Sequence, residues 1–210
     1  MNKSPFTIYL VDDDPGVLKA LTRMLSAKGH EVQAFSSSTD FLDRHDRSVP
    51  GCAILDVSMP DLDGLELQKA MKARGVERPV IFLTGVGDIP MTVQAMRNGA
   101  IDFLTKPIRS SQLLAAVALA SDREAEALAR HSELTSINDR LSRLTPRERE
   151  VLTHVIAGRL NKQIAVDLGT VEQTIKMHRS RMMLKIGVRT VADLVRITEL
   201  AGVRPSYRRD

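Results

Sequence analysis

Residues 52–60 read CAILDVSMP. Cys52, Ala53, Ile54 and Leu55 form a short apolar run of strand type, and Asp56 closes it with a charge. An unpaired buried carboxylate costs several kcal/mol, so Asp56 needs a chemical reason to stand there. Reading outward, the same design recurs. TIYLV (7–11), EVQAF (31–35), CAILD (52–56), PVIFLT (79–84) and IDFLT (101–105) are β-rich runs. Helical spacing fills the gaps, as in Val17, Leu18, Leu21, Met24 and Leu25, then Leu65, Leu67, Ala70 and Met71, then Val93 and Met96. Pro15 and Pro90 stand at expected helix starts, and Gly29, Gly75 and Gly99 at expected ends. Five strands alternating with helices predict an α/β fold: a doubly wound (βα)5 domain with a parallel sheet covered on both faces. In such sheets ligands bind where the strands deliver their carboxyl ends.

That edge gathers chemistry. The first strand ends in Asp12, Asp13 and Asp14, and the third in Asp56. These carboxylates are expected to converge, repelling by roughly 4 kcal/mol per pair at an effective dielectric near 20. A hard divalent cation relieves that repulsion, and Mg2+ (or Mn2+) suits one or two carboxylates with waters and a phosphate. Thr84 ends the fourth strand, and Lys106 follows the fifth, directly before Pro107. Acids, a hydroxyl and an ammonium on one edge suit phosphoryl transfer to a carboxylate, with Asp56 as nucleophile. Each residue alone reads as a turn, a cap or a solvated loop charge; their joint order along the strands is what is specific. GVGDIP (85–90) has Pro90 where a dinucleotide loop needs glycine, and no GxxxxGK[ST] stretch occurs.

From Ser110 the pattern turns helical through Leu144 without Gly or Pro, predicting one long connecting helix. Its stripe Leu134, Ile137, Leu141, Leu144 fits a dimer seam or a face packed on a neighbouring domain. Beyond Thr145, four short helical pieces predict a small all-α bundle, with Asn161 a suitable N-cap for the second piece. NKQIAVDLG followed by VEQTIKMHRSRMMLKIG reads as helix, turn, helix. Its second helix presents Lys176, Arg179 and Ser180, with Thr174 near its start and Met177 alongside, while Ile175, Met182 and Ile186 suit the core. Such a helix enters the major groove of DNA, flanked by cations on phosphates. Residues 145–210 carry 13 Lys/Arg against 7 Asp/Glu, whereas residues 1–144 carry 17 against 19. A basic second half beside a slightly acidic first half points to a polyanion as its partner. Expected domains are 1–120, a helical linker 121–143, and 144–210.

Length and composition set the outer bounds. The 210 residues allow two small domains, and 43% hydrophobic residues can bury a core. No apolar run is long enough to cross a membrane, and the start, MNKSPFTIYL, lacks a signal-peptide pattern, so the expected location is cytoplasmic. Cys52 is the single cysteine, which excludes an internal disulfide and a cysteine-rich metal site.

VDDD (11–14), LDVSMPDLDG (55–64), FLTG (82–85) and FLTKP (103–107) together resemble the receiver domain of bacterial two-component response regulators. The resemblance implies that Asp56 accepts a phosphoryl group from a sensor histidine kinase. It implies Mg2+ on Asp13 directly, on Asp12 through water, on Asp56 and on the backbone carbonyl of Ser58. Thr84 and Phe103 match the family's switch pair, Lys106 its phosphate-binding lysine, and Asp14 a helix cap. LTPREREVL (144–152), AGRLNKQIA (157–165) and TIKMHRSRMMLKIGV (174–188) resemble the LuxR-type DNA-binding domain. That implies Lys176, Met177 and Ser180 facing bases, and Lys162, Thr174 and Lys185 meeting phosphates. Ser180 stands where some relatives have Lys. Gly169-Thr170 replaces a more usual Ile-Ser, so the second helix is capped by Thr170 or by something weaker. As a whole the chain resembles the FixJ/NarL group. GDIPMTV (87–93) and the long helix lean to its FixJ side, similar to regulators of aromatic-hydrocarbon catabolism. The implied partners are the kinase, promoter DNA, RNA polymerase and, once phosphorylated, a second copy of the chain. One rival reading is an enzyme with an aspartyl-phosphate intermediate, which needs a second Asp two residues on, where Ser58 stands; another is a constitutive DNA-binding protein whose receiver only dimerises or binds a ligand, against which stand the acidic pair, Asp56, Thr84 and Lys106.

Overall fold

The computed structural model describes residues 6–85 and 89–206, with backbone alone for 89–91. GVGDIP and GDIPMTV therefore lie partly outside the described residues, as does the end of the tail VRPSYRRD. The chain divides into two compact units, Met1–Ala127 and Leu128–Asp210.

The first unit holds β1 Thr7–Val11, α1 Pro15–Ser26, β2 Glu31–Phe35, α2 Ser38–Arg44, β3 Gly51–Asp56, α3 Gly64–Ala73, β4 Val80–Thr84, α4 Ile89–Arg97, β5 Asp102–Thr105 and the first part of α5 Ser110–Ser142. The strands form one parallel sheet in the order β2-β1-β3-β4-β5. Successive strand residues point to opposite faces, and the core obeys this. Tyr9, Val11, Ala53, Leu55, Val80 and Phe82 face one layer, where α2, α3 and α4 supply Phe41, Leu67 and Ala95. Ile8, Leu10, Cys52, Ile54, Ile81 and Leu83 face the other, where α1 and α5 supply Leu25, Leu113 and Val117. Cys52 is a fully buried core residue whose thiol pKa burial pushes up to about 12. The strand order reverses between β1 and β3, so their carboxyl ends flank a crevice, the usual binding position in such sheets.

Two local features hold that crevice open. Asp14 caps α1, its Oδ1 accepting from Gly16 N at 2.7 Å and Val17 N at 3.3 Å. Gly64 begins α3 so close to β3 that a Cβ there would lie 2.5 Å from the Asp56 carbonyl oxygen. Any other residue would push α3 off the strand end.

The second unit holds the rest of α5, then α6 Pro146–Ile156, α7 Asn161–Asp167, α8 Glu172–Ile186 and α9 Val191–Leu200. Its core joins Ile137, Leu141 and Leu144 to Val151, Leu152, Ile164, Ile175, Met182, Ile186 and Leu194. Three members of the leucine stripe are thus core residues of this unit, while Leu134 stays exposed. One capping expectation is corrected, and for the other the weaker alternative holds. Leu160, not Asn161, is the N-cap of α7, and the Gln163 carboxamide oxygen reaches back to accept from Leu160 N at 2.9 Å. Val171, not Thr170, is the N-cap of α8 and makes no side-chain capping bond. No helix among the described residues is long and apolar enough to cross a membrane.

Candidate functional site: a strand-edge carboxylate pair and a basic helix

At the carboxyl edge of the sheet, Lys106 stands between two acids. Its Nζ lies 2.7 Å from Asp12 Oδ2 and 2.7 Å from Asp56 Oδ1. The Asp12 side chain is wholly buried and that of Asp56 is 5% exposed, against 26% for Lys106. Backbone N–H groups hold the remaining oxygens: Asp14 N donates to Asp12 Oδ1 at 2.9 Å, and Ser58 N to Asp56 Oδ2 at 2.8 Å. Burial pushes the Asp12 carboxyl above its ordinary value, against the hydrogen bond from Lys106. For Lys106, burial pulls down, but its hydrogen bonds to Asp12 and Asp56 win and hold the ammonium pKa up. Lys106 N also donates to Thr84 O at 2.7 Å, which anchors the end of β5 beside the buried Thr84. The Lys106–Pro107 peptide is cis. Phe103 is partly buried against the same core layer as Phe82, their rings 6.1 Å apart.

The convergence of four acids is corrected to a convergence of two. Asp12 and Asp56 meet at Lys106, whereas Asp13 is exposed and Asp14 turns away to cap α1. Past the end of a strand, the alternation that aims side chains no longer operates, and the helix start competes for Asp14. Among the described residues no three His, Cys, Asp or Glu side chains cluster to hold a metal by themselves. The donor set nevertheless fits Mg2+, which needs one or two carboxylates and keeps several waters. Two carboxylates against one ammonium leave this edge with a net charge near −1, which favours a further cation.

In the second unit, α8 exposes Lys176, Met177 and Ser180 and buries Ile175, Met182 and Ile186. Lys176 Nζ pairs with Glu172 Oε1 at 3.0 Å, and Arg179 Nη1 donates to Asn161 Oδ1 at 3.0 Å. Lys185 Nζ pairs with the buried Glu148 Oε2 at 2.6 Å. Thr174 is half-buried near the start of α8, and Lys162 is exposed on α7. Sequence reading misses the roles of Asn161 and Glu148. Glu148 sits in the pattern Thr145-x-x-Glu148, a capping box that the structure forms: Thr145 N donates to Glu148 Oε2 at 2.9 Å and Glu148 N to Thr145 Oγ1 at 3.3 Å. That signal was available; the reach of the same carboxylate to Lys185 was not.

The family described as response regulator receiver domain matches residues 8–118, and the luxR family of bacterial regulatory proteins matches residues 142–198. This chain is a response regulator of the FixJ/NarL type. The response regulator protein TodT of Pseudomonas putida is 41% identical over 95% of this chain and 88% of its own length. The transcriptional regulatory protein FixJ of Azorhizobium caulinodans is 38% identical over 95% of this chain and 94% of its own. Among solved structures, the response regulator StyR superposes with a TM-score of 0.81 at 40% identity, covering 92% of this chain and 98% of that one. Full-length FixJ from B. japonicum gives 0.57 at 36% identity, covering 95% and 98%. The regulator is therefore a two-component transcription factor, with a histidine kinase and DNA as its partners, and not a conventional enzyme.

Proposed function

We propose that phosphorylation of Asp56 switches this regulator, and that the Asp12–Lys106–Asp56 arrangement carries the reading. A buried carboxylate whose neighbour is an ammonium shared with a second acid is a poised acceptor: both species it needs, a nucleophile and a cation for phosphoryl oxygens, are already within 2.7 Å. A carboxylate oxygen of Asp56 forms the new P–O bond as the P–N bond of the kinase phosphohistidine breaks. The imidazole leaves with the electron pair and takes a proton. Lys106 holds charge on the transferred group, and Ser58 N orients the nucleophile. Asp13, Asp56 and the Ser58 carbonyl would hold Mg2+ or Mn2+, with Asp12 acting through water, and the ion would supply charge neutralisation at the phosphoryl oxygens. Thr84 and Phe103 act as the switch: Thr84 turns to the phosphoryl group and Phe103 fills the space left. The acyl phosphate is lost slowly to water.

The phosphorylated receiver favours a homodimer, shifting an existing equilibrium rather than creating a new state. Dimerisation places two DNA-binding domains on paired half-sites and raises affinity by linkage. On promoter DNA, α8 enters the major groove. Lys176, Met177 and Ser180 face bases, while Lys162, Thr174 and Lys185 meet phosphates, and the bound dimer recruits RNA polymerase to activate transcription in the cytoplasm. Functionally, residues 1–120 receive, 121–143 connect and 144–210 bind DNA, with Ile137 and Leu141 lent by the connector to the core of the binding domain.

The test is a DNA-binding titration of purified protein with and without acetyl phosphate and Mg2+, beside Asp56→Asn. Duplexes come from selection out of a random pool, at one fixed salt concentration. The expected result is tighter binding with phosphodonor for the wild type alone. Equal binding by both proteins under all conditions refutes the switch and leaves the DNA-binding reading standing.

A further inference from the structure

Three cations on α8 have partners, and the partners differ in kind. Lys176 faces the carboxylate of Glu172, Lys185 that of Glu148, and Arg179 the neutral amide of Asn161. The carboxylates offset the charge of the two lysines. Arg179 alone of the three is held in place with its full charge kept. Only the amide oxygen can accept from a guanidinium, so the Asn161 Nδ2 donors are directed away from it.

Arg179 also sits on a different side of the helix from the residues expected to face bases. At about 100° per residue, Lys176, Ser180 and Met177 span roughly 100° of the exposed face of α8. Arg179 lies roughly 60° beyond Lys176, on the flank towards the core residues Ile175 and Ile186. It is half-buried there against the first residue of α7. A bidentate contact to guanine is the commonest use of arginine in a groove, but it needs the guanidinium edge aimed out along the exposed face. A flank position with Nη1 already engaged suits the sugar–phosphate backbone beside the groove.

We infer that Asn161 is a positioning residue that fixes Arg179 as a contact to a DNA phosphate rather than to a base. This rests on the DNA-binding reading of α8 given above. Together the Asn161 amide N–H groups and the guanidinium present donors only, which match phosphate oxygens. Arg179 thus supplies affinity in any sequence, and Asn161 lowers the ordering cost of a long side chain before DNA arrives.

The experiment measures full-length protein, with acetyl phosphate and Mg2+ held constant, binding a selected duplex and a scrambled duplex of equal length across a salt series. Arg179→Ala is expected to weaken both by the same factor and to make the slope of log K against log salt shallower by about one. Asn161→Ala is expected to weaken both by about threefold to tenfold with the slope unchanged, and to add nothing in the Arg179→Ala background. Amide exchange of α7 and α8 like that of the wild type accompanies both results. A loss confined to the selected duplex, or a changed consensus on reselection with Arg179→Ala, overturns the inference by making Arg179 a base reader. An Asn161→Ala effect that persists in the double variant overturns the positioning role. A wild type that binds no duplex refutes the DNA-binding reading itself and takes this inference with it.

Discussion

Each half of this regulator sets a lysine against a buried carboxylate, and the two arrangements are balanced differently. At the sheet edge one ammonium serves two carboxylates, Asp12 and Asp56, at 2.7 Å each. In the DNA-binding unit one ammonium, Lys185, serves one carboxylate, Glu148, at 2.6 Å. The acids respond in opposite directions. Burial wins at Asp12 and pushes its carboxyl up even with Lys106 bonded to it. At Glu148 burial also pushes up, but the bonds from Lys185 and Thr145 outweigh it and hold the carboxyl below its ordinary value. A balanced pair ties α6 to α8 and leaves no surplus charge. An unbalanced one keeps a surplus negative charge in a crevice, and that surplus is what a cation or a phosphoryl transfer can act upon.

Removing the lysines is the largest way to break the comparison. Lys106→Met strands two buried carboxylates, and unpairing buried charge costs about 3–5 kcal/mol. Because Lys106 is 26% exposed, a loss near the lower end, about 3 kcal/mol, is expected in the first unit. Lys185→Met strands one carboxylate that keeps its bond from Thr145 N, so about 1–2 kcal/mol is expected in the second. Native-state amide exchange reads the two units separately, at β1 and β3 and at α6 and α8. Equal losses would remove the distinction between the two sites.

A divalent cation probes the surplus charge directly and more gently. Mg2+ at ten times its dissociation constant should slow exchange in β1 and β3 by about 1.4 kcal/mol. It should leave α6 and α8 unchanged, and Asp13→Asn should blunt the effect. Equal protection of both units by Mg2+ would mean general ionic stabilisation instead of a site.

How much of this was legible beforehand differs between the two regions for physical reasons. The strands TIYLV and EVQAF match β1 and β2 residue for residue, the first as a buried apolar run and the second as a largely exposed edge strand, each bounded by turns. Parallel pairing then delivers Asp12, Asp56, Thr84 and Lys106 to one edge with no further information. What it could not deliver is the aim of Asp13, two residues beyond the end of β1. In the second unit Ile175, Met182 and Ile186 were readable from helical spacing. Asn161 stands one position after the N-cap, which falls on Leu160 beyond the left-handed Gly158. Its bond to Arg179 joins residues 18 apart, and Glu148 and Lys185 are 37 apart. Such pairings arise from packing, and no local pattern announces them. The stripe Ile137, Leu141, Leu144 read equally well as a dimer seam until the helices it packs on were in place.

The finest test concerns pH. Glu148→Gln keeps an acceptor for Thr145 N and removes the charge facing Lys185, so at neutral pH it should weaken the second unit by about 1 kcal/mol. Glu148 has its folded-state pKa below the unfolded one, so the unfolded chain takes up the proton first as pH falls. The advantage of wild type over Glu148→Gln should therefore be constant above the ordinary glutamate value of about 4.3. It should shrink below that value and vanish once the pH passes under the folded pKa. Asp12 has the opposite sign: its folded pKa is raised, so protonation relieves the sheet edge and that group's contribution grows as pH falls. Exchange rates at α6 and at β1 should therefore respond to acid in opposite senses, as far as these two groups decide. A wild-type advantage that persisted undiminished to pH values well below the folded pKa would show that Glu148 acts by shape and not by charge. The contrast between a balanced and an unbalanced pair would then reduce to the sheet edge alone.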